Sequence, residues 1–220
     1  GANFGKEGYL QSIAGFYRFE SSFRKFALSV AATTPHAPPA IAVSQWGVIH
    51  PEATPESGLD QPCTLRDAIL TAAFLHCFNE HAAQLRLAAM AQAVNSLLCL
   101  VKTRDSEMFL TPAYHVVDMM QPHKNARLLF HELESPALPL PPSSEGPSSV
   151  PALSVSTSRS KKRLCITVAN LSYTDEIPLH VEIREATIVS LTGRILTATS
   201  PAAENSFESP KVVAPARLNL

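Results

Sequence analysis

The feature that most constrains this chain is a change of period near its middle. Up to about residue 135, apolar residues recur at helical spacing or in short unbroken runs. Beyond residue 151 they alternate. Between the two regimes, Pro136 to Pro151 holds six prolines and four serines with few apolar residues, the composition of a linker or long loop. A single helical bundle or a single sheet would satisfy only one of these patterns. The chain is therefore expected to divide into an α/β part (1–135), a linker (136–151) and an all-β part (152–220).

In the first part, Phe16, Phe19, Phe23, Phe26 and Val30 fall at steps of three and four, the stripe of an amphipathic helix. Three prolines between Thr33 and Pro39 break it. The run Ala40-Ile41-Ala42-Val43 then ends in Ser44-Gln45-Trp46-Gly47. Such a run, bounded by turn signals, reads as a strand buried on both faces. Polar side chains at the carboxyl end of a parallel strand stand where α/β proteins place their chemistry. Gln45 is thus the residue at which function should be legible.

A second helix opens at Thr64-Leu65-Arg66-Asp67, with Thr64 as cap and Asp67 as the acid of the first turn. It continues as the apolar Ala68 to Phe78 and ends near Asn79-Glu80-His81. Leu85 to Ala91 is a second candidate buried strand, ending at Gln92 as the first ends near Gln45. Val94, Leu97, Leu98 and Val101 suggest a short helix. Thr111-Pro112 starts another, stopped or kinked by Pro122.

Past the linker, Leu164, Ile166 and Val168 alternate with Cys165, Thr167 and Ala169, and Ile177, Leu179, Val181 and Ile183 alternate with polar neighbours. With the β-rich run Ile188 to Ala198, these spell an antiparallel sandwich whose core takes Leu164, Ile166 and Val168. The basic run Ser158 to Arg163 reads as a solvated hairpin turn rather than a nucleic-acid patch.

Composition narrows the function classes. With 18 basic and 19 acidic residues, no global field favours nucleic acid, and no apolar run is long enough to span a membrane. Cys63, Cys77, Cys99 and Cys165 are irregularly spaced and read as free buried thiols, and the histidines lack ligand spacing, so neither a metal nor a cofactor is expected. The first residues lack the basic and apolar regions of a signal peptide and begin without Met. The expectation is a processed or truncated chain in an intracellular or organellar setting rather than a secreted one.

Several motifs occur in order: Thr64-Leu65-Arg66-Asp67-Ala68, His81-Ala82, Ala91-Gln92-x-Val94-Asn95, Leu110-Thr111-Pro112-x-Tyr114-His115-Val116 and Asn205-x-Phe207-Glu208-x-Pro210. Over residues 9 to 213 the chain resembles the C-terminal part of an α-L-arabinofuranosidase of glycoside hydrolase family 51. That resemblance implies the last units of a (β/α)₈ TIM barrel, a partial barrel segment, followed by a jelly-roll-like antiparallel β-sandwich. In the family, the seventh barrel strand typically ends Asp-Glu-Trp-Gly or Asp-Glu-Trp-Asn, and its Glu is the catalytic nucleophile. Here the place reads Ser44-Gln45-Trp46-Gly47.

Retaining glycosidases need two carboxyl groups, one attacking and one protonating. A neutral amide at Gln45 has no anionic oxygen for the attack. The family's acid/base Glu belongs to an earlier barrel strand than those present here. Asn79-Glu80 copies its signature, but at a helix end opposite the active face. The resemblance also implies sugar contacts for Trp46 and Gln92, against the alternatives of a buried rim aromatic and a backbone-bonded amide. Tyr114 and His115 read as packing residues. Three functions follow. The first is a catalytically inactive remnant serving as a structural subunit, its open barrel face covered by other protein chains. The second is one part of an active enzyme whose N-terminal half is a separate polypeptide. The third is a carbohydrate-binding module, disfavoured because residues 150–220 hold a single Tyr and no Trp. Arabinose-containing carbohydrate is the ligand class implied.

Overall fold

A computed structural model describes residues 4–33, 36–37, 39–142, 146–161, 163–184 and 186–218. Helix α1 (Lys6–Thr33) leads into strand β1 (Ile41–Trp46), helix α2 (Leu65–Glu80) and strand β2 (Leu85–Met90). β1 and β2 pair in parallel, with Ile41 opposite Leu85 and Trp46 opposite Met90. An antiparallel hairpin follows, β3 (Val101–Arg104) with β4 (Glu107–Leu110), then helix α3 (Pro112–Met119) and a 3₁₀ turn over Gln121–His123 that absorbs Pro122.

The remainder is mostly β, in small sheets. β5 (Arg127–Leu128), β8 (Leu153–Ser160) and β9 (Arg163–Asn170) form a three-stranded antiparallel sheet in the order β5-β8-β9. β6 (Ala137–Pro139) pairs with β7 (Ser149–Pro151), and β10 (Gly193–Ile195) with β11 (Ala216–Leu218). No helix among the described residues is long and apolar enough to cross a membrane.

Aromatic packing joins α1 to α2. Tyr9, Ile13, Phe16, Phe23 and Ala27 are buried along one side of α1. Phe16 and Phe19 each place a ring centroid 5.0 Å from Phe74, and Phe23 lies 6.0 Å from Phe78. Phe26, expected in this stripe, is 54% exposed instead. The helix turns 100° per residue, so the buried face passes from Phe23 to Ala27 and leaves Phe26 outside it.

Four further expectations are corrected. First, β1 and β2 are covered on one face only. Ile41 and Trp46 are buried against the helices, while Ala42, Ser44, Gln45 and Leu87 are exposed. Both helices lie on the same side, and nothing among the described residues covers the other.

Second, the segment around Val94, Leu97 and Leu98 is not helical. Asn95 and Leu97 adopt left-handed backbone (φ 62° and 52°), which interrupts any helical run, and Val101 begins β3.

Third, β9 turns the opposite face inward. Ala169 is buried and Cys165 and Thr167 are half-buried, whereas Leu164 and Val168 are exposed and Ile166 only half-buried. The cause is a set of hydroxyl–imidazole hydrogen bonds beneath the sheet, described below.

Fourth, residues 176–191 form no strand among those described, and the expected sandwich shrinks to the small sheets above. Leu179, Val181, Ile188 and Leu191 are exposed and Val189 is 95% so. Alternation alone does not make a strand when no partner backbone lies alongside.

Within the proline-rich stretch 136–151, β6 pairs with β7, with Leu138 and Val150 buried while Pro139 and Pro151 are exposed. Ser160 pairs with Arg163, so the basic run does cap a tight hairpin. One buried cluster includes Phe16 and Phe74 as well as Leu138, Val150, Ala169 and Leu171, and the Tyr9 hydroxyl donates to Leu171 O at 3.1 Å.

Candidate functional site

The carboxyl ends of β1 and β2 lie side by side because the strands are parallel and Trp46 pairs with Met90, despite two register shifts along the ribbon. Trp46 O accepts the Ala91 N–H at 3.0 Å, closing the ribbon at its end. Gly47 makes the approach possible. Its φ of 150° is costly for any side chain, and a Cβ there would meet Ala91 O at 3.3 Å and Leu98 Cβ at 3.5 Å. Gln45 and Gln92 thus stand at neighbouring strand ends, and both are exposed. Gln92 follows Ala91 through a cis peptide bond.

Trp46 points the other way. It is only 6% exposed, with ring centroids 5.4 Å from Phe74 and 5.3 Å from Phe78, and its indole N–H has no hydrogen-bond partner among the described residues. In this arrangement Trp46 is a core aromatic between ribbon and helix, unable to offer a ring face to a ligand.

No carboxylate occurs in 44–47 or 91–93, so this end of the ribbon presents amides, a hydroxyl and backbone. Such a surface can hydrogen-bond a polyol, and it holds no carboxylate to act as nucleophile or proton carrier. Glu80 lies at the other end of α2. Burial and the nearby Glu20 push its carboxyl up, with Arg24 opposing, and Asn79 beside it donates to Ser156 Oγ at 3.0 Å. No three His, Cys, Asp or Glu side chains converge as a metal site among the described residues.

Behind the loop that follows Gly47 lies a buried polar knot that local sequence does not announce. His50 Nε2 is 2.6 Å from Asp67 Oδ1, and the His50 N–H donates to Gln61 Oε1 at 2.9 Å. Asp67 Oδ2 accepts the Thr64 N–H at 2.7 Å and the Thr64 hydroxyl at 2.8 Å. Burial alone would raise the Asp67 carboxyl. The hydrogen bond to His50, the nearby His50 and Arg66 side chains and the Thr64 amide outweigh it and hold the group below the usual carboxylate range. The free N–H groups of the first turn of α2 are met by the chain's own C-terminal segment, as Leu65 donates to Ala203 O and Arg66 to Pro201 O, at 2.8 and 2.9 Å.

The remaining motifs join the same framework. Asn205 Nδ2 donates to Leu110 O and Val213 O, at 2.9 and 3.0 Å, and Asn205 Oδ1 accepts the Val213 N–H at 2.8 Å. The Thr111 hydroxyl donates to Cys99 O at 2.7 Å while capping α3. Tyr114 and His115 meet edge to face on that helix, with centroids 5.7 Å apart.

These motifs do their work together, and the profile of the α-L-arabinofuranosidase C-terminal domain matches residues 45–220. The chain belongs to this family. It is 28% identical over 216 residues to an intracellular exo-α-L-arabinofuranosidase of Bacteroides ovatus, covering 97% of this chain and 41% of that one. A crystal structure of the family 51 arabinofuranosidase from Xanthomonas axonopodis pv. citri superposes with a TM-score of 0.83 at 26% identity, over 99% of this chain and 44% of that one. The arabinose complex of the α-L-arabinofuranosidase from Thermotoga maritima gives 0.73 at 22% identity, over 97% and 46%, a likeness of fold. The chain therefore spans about two fifths of the length of these arabinofuranosidases.

Proposed function

We propose that these 220 residues form an arabinofuranosidase-like unit that does not itself cleave glycosides and serves as a structural subunit of a larger assembly. On this reading β1 and β2 are the last two strands of a partial (β/α)₈ barrel within 1–135, residues 136–151 connect, and 152–220 form the sheet-bearing remainder. The observation that carries the reading is Gln45. It is exposed at the carboxyl end of β1, where the family resemblance puts the nucleophilic Glu. An amide there removes the attacking oxyanion while keeping the shape and hydrogen-bonding capacity of the position. Gln45 and Gln92 then offer hydrogen bonds to an arabinose-containing carbohydrate without turnover.

The uncovered face of the β1–β2 ribbon, with Ala42 and Leu87 open, supports association with other chains. It equally favours a second reading, in which another polypeptide completes a working enzyme. The test is turnover of an aryl α-L-arabinofuranoside by the purified chain, alone and with a complementing N-terminal barrel half. The expected result is no release in either case, and a gain on Gln45→Glu only when the half is present. Release by the unaltered chain with that half would establish the second reading instead. Sedimentation addresses assembly: a stable 23.8 kDa monomer with cooperative melting would overturn the subunit role.

A further inference from the structure

Cys63 and Cys99 are 36 positions apart in sequence, yet their Sγ atoms lie 3.8 Å apart, and both residues are buried. Cys63 immediately precedes the Thr64 cap of α2, at the end of the loop that leaves β1. Cys99 ends the irregular segment that leaves β2. Cys63 Sγ also faces Leu97 O at 3.5 Å. The two thiols thus stand where the backbones behind Gln45 and Gln92 come together.

We propose that Cys63 and Cys99 are a reversible dithiol–disulfide pair, oxidised by a peroxide, that staples the loop after β1 to the segment after β2. The pair is chemically unequal. The hydrogen bond shared with Cys63 pulls the Cys99 thiol down, against burial and with help from Lys102. The hydrogen bond to Cys99 and burial push Cys63 up. Cys99 is therefore the attacking sulfur. Its thiolate takes one oxygen from the peroxide, whose O–O bond breaks and whose other oxygen leaves as hydroxide and is protonated to water. Cys63 then attacks the resulting sulfenic sulfur. The S–S bond forms, the S–O bond breaks, and the hydroxyl departs with the Cys63 proton as a second water. Two thiols lose two electrons and one peroxide gains them.

Access comes from the segment between β2 and β3. It has no regular ladder of its own, and Asn95 and Leu97 sit in left-handed backbone. Local opening there exposes the pair without unfolding the aromatic core. The other two thiols are placed differently. Cys77 is buried within α2, and Cys165 lies 3.5 Å from His123 Nε2 on the sheet.

The experiment treats the folded chain with stoichiometric hydrogen peroxide at neutral pH, then unfolds it in an alkylating agent and maps peptides by mass. The expected result is a fall from four reactive thiols to two, an intact mass lighter by two hydrogens, and one bridged peptide joining Cys63 to Cys99, all reversed by dithiothreitol. Cys165→Ser leaves the bridge yield unchanged, whereas Cys63→Ser abolishes the bridge. The unmodified protein's peptide map decides even if that variant folds poorly. Retention of four thiols, a bridge through Cys77 or Cys165, or over-oxidation of Cys99 without a bridge would overturn the assignment.

Discussion

The two sides of α2 solve the same packing problem with opposite chemistry. Toward α1 and the parallel ribbon, Phe74 and Phe78 meet Phe16, Phe19, Phe23 and Trp46 at centroid separations of 5.0 to 6.1 Å, mostly edge-on or tilted. Toward the β8–β9 sheet, the same helix presents His76 and Asn79 to a floor of hydroxyls. His76 Nδ1 lies 2.8 Å from Ser154 Oγ and its Nε2 3.0 Å from Thr167 Oγ1. His123 repeats the arrangement with Ser158 and Thr167 at 2.7 and 2.9 Å. An aromatic interface is held by area and shape and tolerates small shifts. A buried histidine–hydroxyl interface is held by stoichiometry, because each ring nitrogen needs its partner and an added proton puts a charge in a buried place and forces the donating hydroxyl to accept instead. The first side should therefore respond to volume, the second to pH.

The largest effect is expected on the aromatic side. Phe74→Ala removes a ring that touches both α1 and the ribbon, in a place where helix and strand cannot readily collapse together. A loss of about 3–5 kcal/mol is expected, a large share of the stability of a chain this size. Chemical denaturation at neutral pH measures it. A cost near 1 kcal/mol would mean that α1 is only loosely docked and that the aromatic contacts carry little weight.

The histidine side predicts acid sensitivity of intermediate size. Burial, with the neighbouring His123 and His131 imidazoles adding to it, pulls the His76 imidazole down to about 3 from an ordinary 6.5. The unfolded chain takes up a proton below about pH 6.5 while the folded chain refuses it. Stability is thus full above that pH and falls as acid is added, by roughly 2 kcal/mol from His76 alone at pH 5. His123 and His81, both also held down chiefly by burial, steepen the slope. Urea midpoints at pH 7.5 and pH 5 should separate accordingly, and His76→Gln should narrow the gap. Equal midpoints would show that water reaches the interface and that the contrast between the two sides of α2 is not energetic.

This contrast also explains what could be read in advance. The caps at Thr64 and Thr111, helices α1 and α2 and strands β1 and β2 rest on residues a few positions apart, so periodicity and capping expose them. The inward face of β9 rests on His76 and His123, 91 and 44 residues from Thr167, and no local pattern reports that they reverse its polarity. Residues 177–183 alternate as a strand would, but strandhood needs a neighbour, and neighbours are a tertiary matter. Gln45 and Gln92 were legible as a pair because parallel strands bring like ends together. Trp46 was legible as an aromatic at the strand end but not in its direction. The irregular register between Val43 and Trp46 turns its ring back into the core and leaves Ser44 and Gln45 outside. The pairs His50–Asp67 and Cys63–Cys99 join residues 17 and 36 positions apart, and neither spacing matches a motif.

The smallest effect is expected at Gln45, where neither side of α2 is involved. Its side chain is exposed, it has no hydrogen-bond partner among the described residues, and it follows no buried stripe. Gln45→Ala should change stability by no more than about 0.5 kcal/mol, the usual range for a surface substitution. Gln45→Glu should be equally mild, since the new carboxylate would stand in water with no carboxylate elsewhere in 44–47 or 91–93 to repel it. The comparison sharpens because Trp46, one residue on, is predicted to behave like Phe74. Trp46→Ala opens a cavity against Phe74 and Phe78 and should approach the cost of the ring deletions there. Thermal melts of the three variants together test whether the strand end divides so sharply between a free amide and a packed indole. A cost at Gln45 comparable to that at Trp46 would mean that Gln45 is held by the fold, and its amide would then have a structural role.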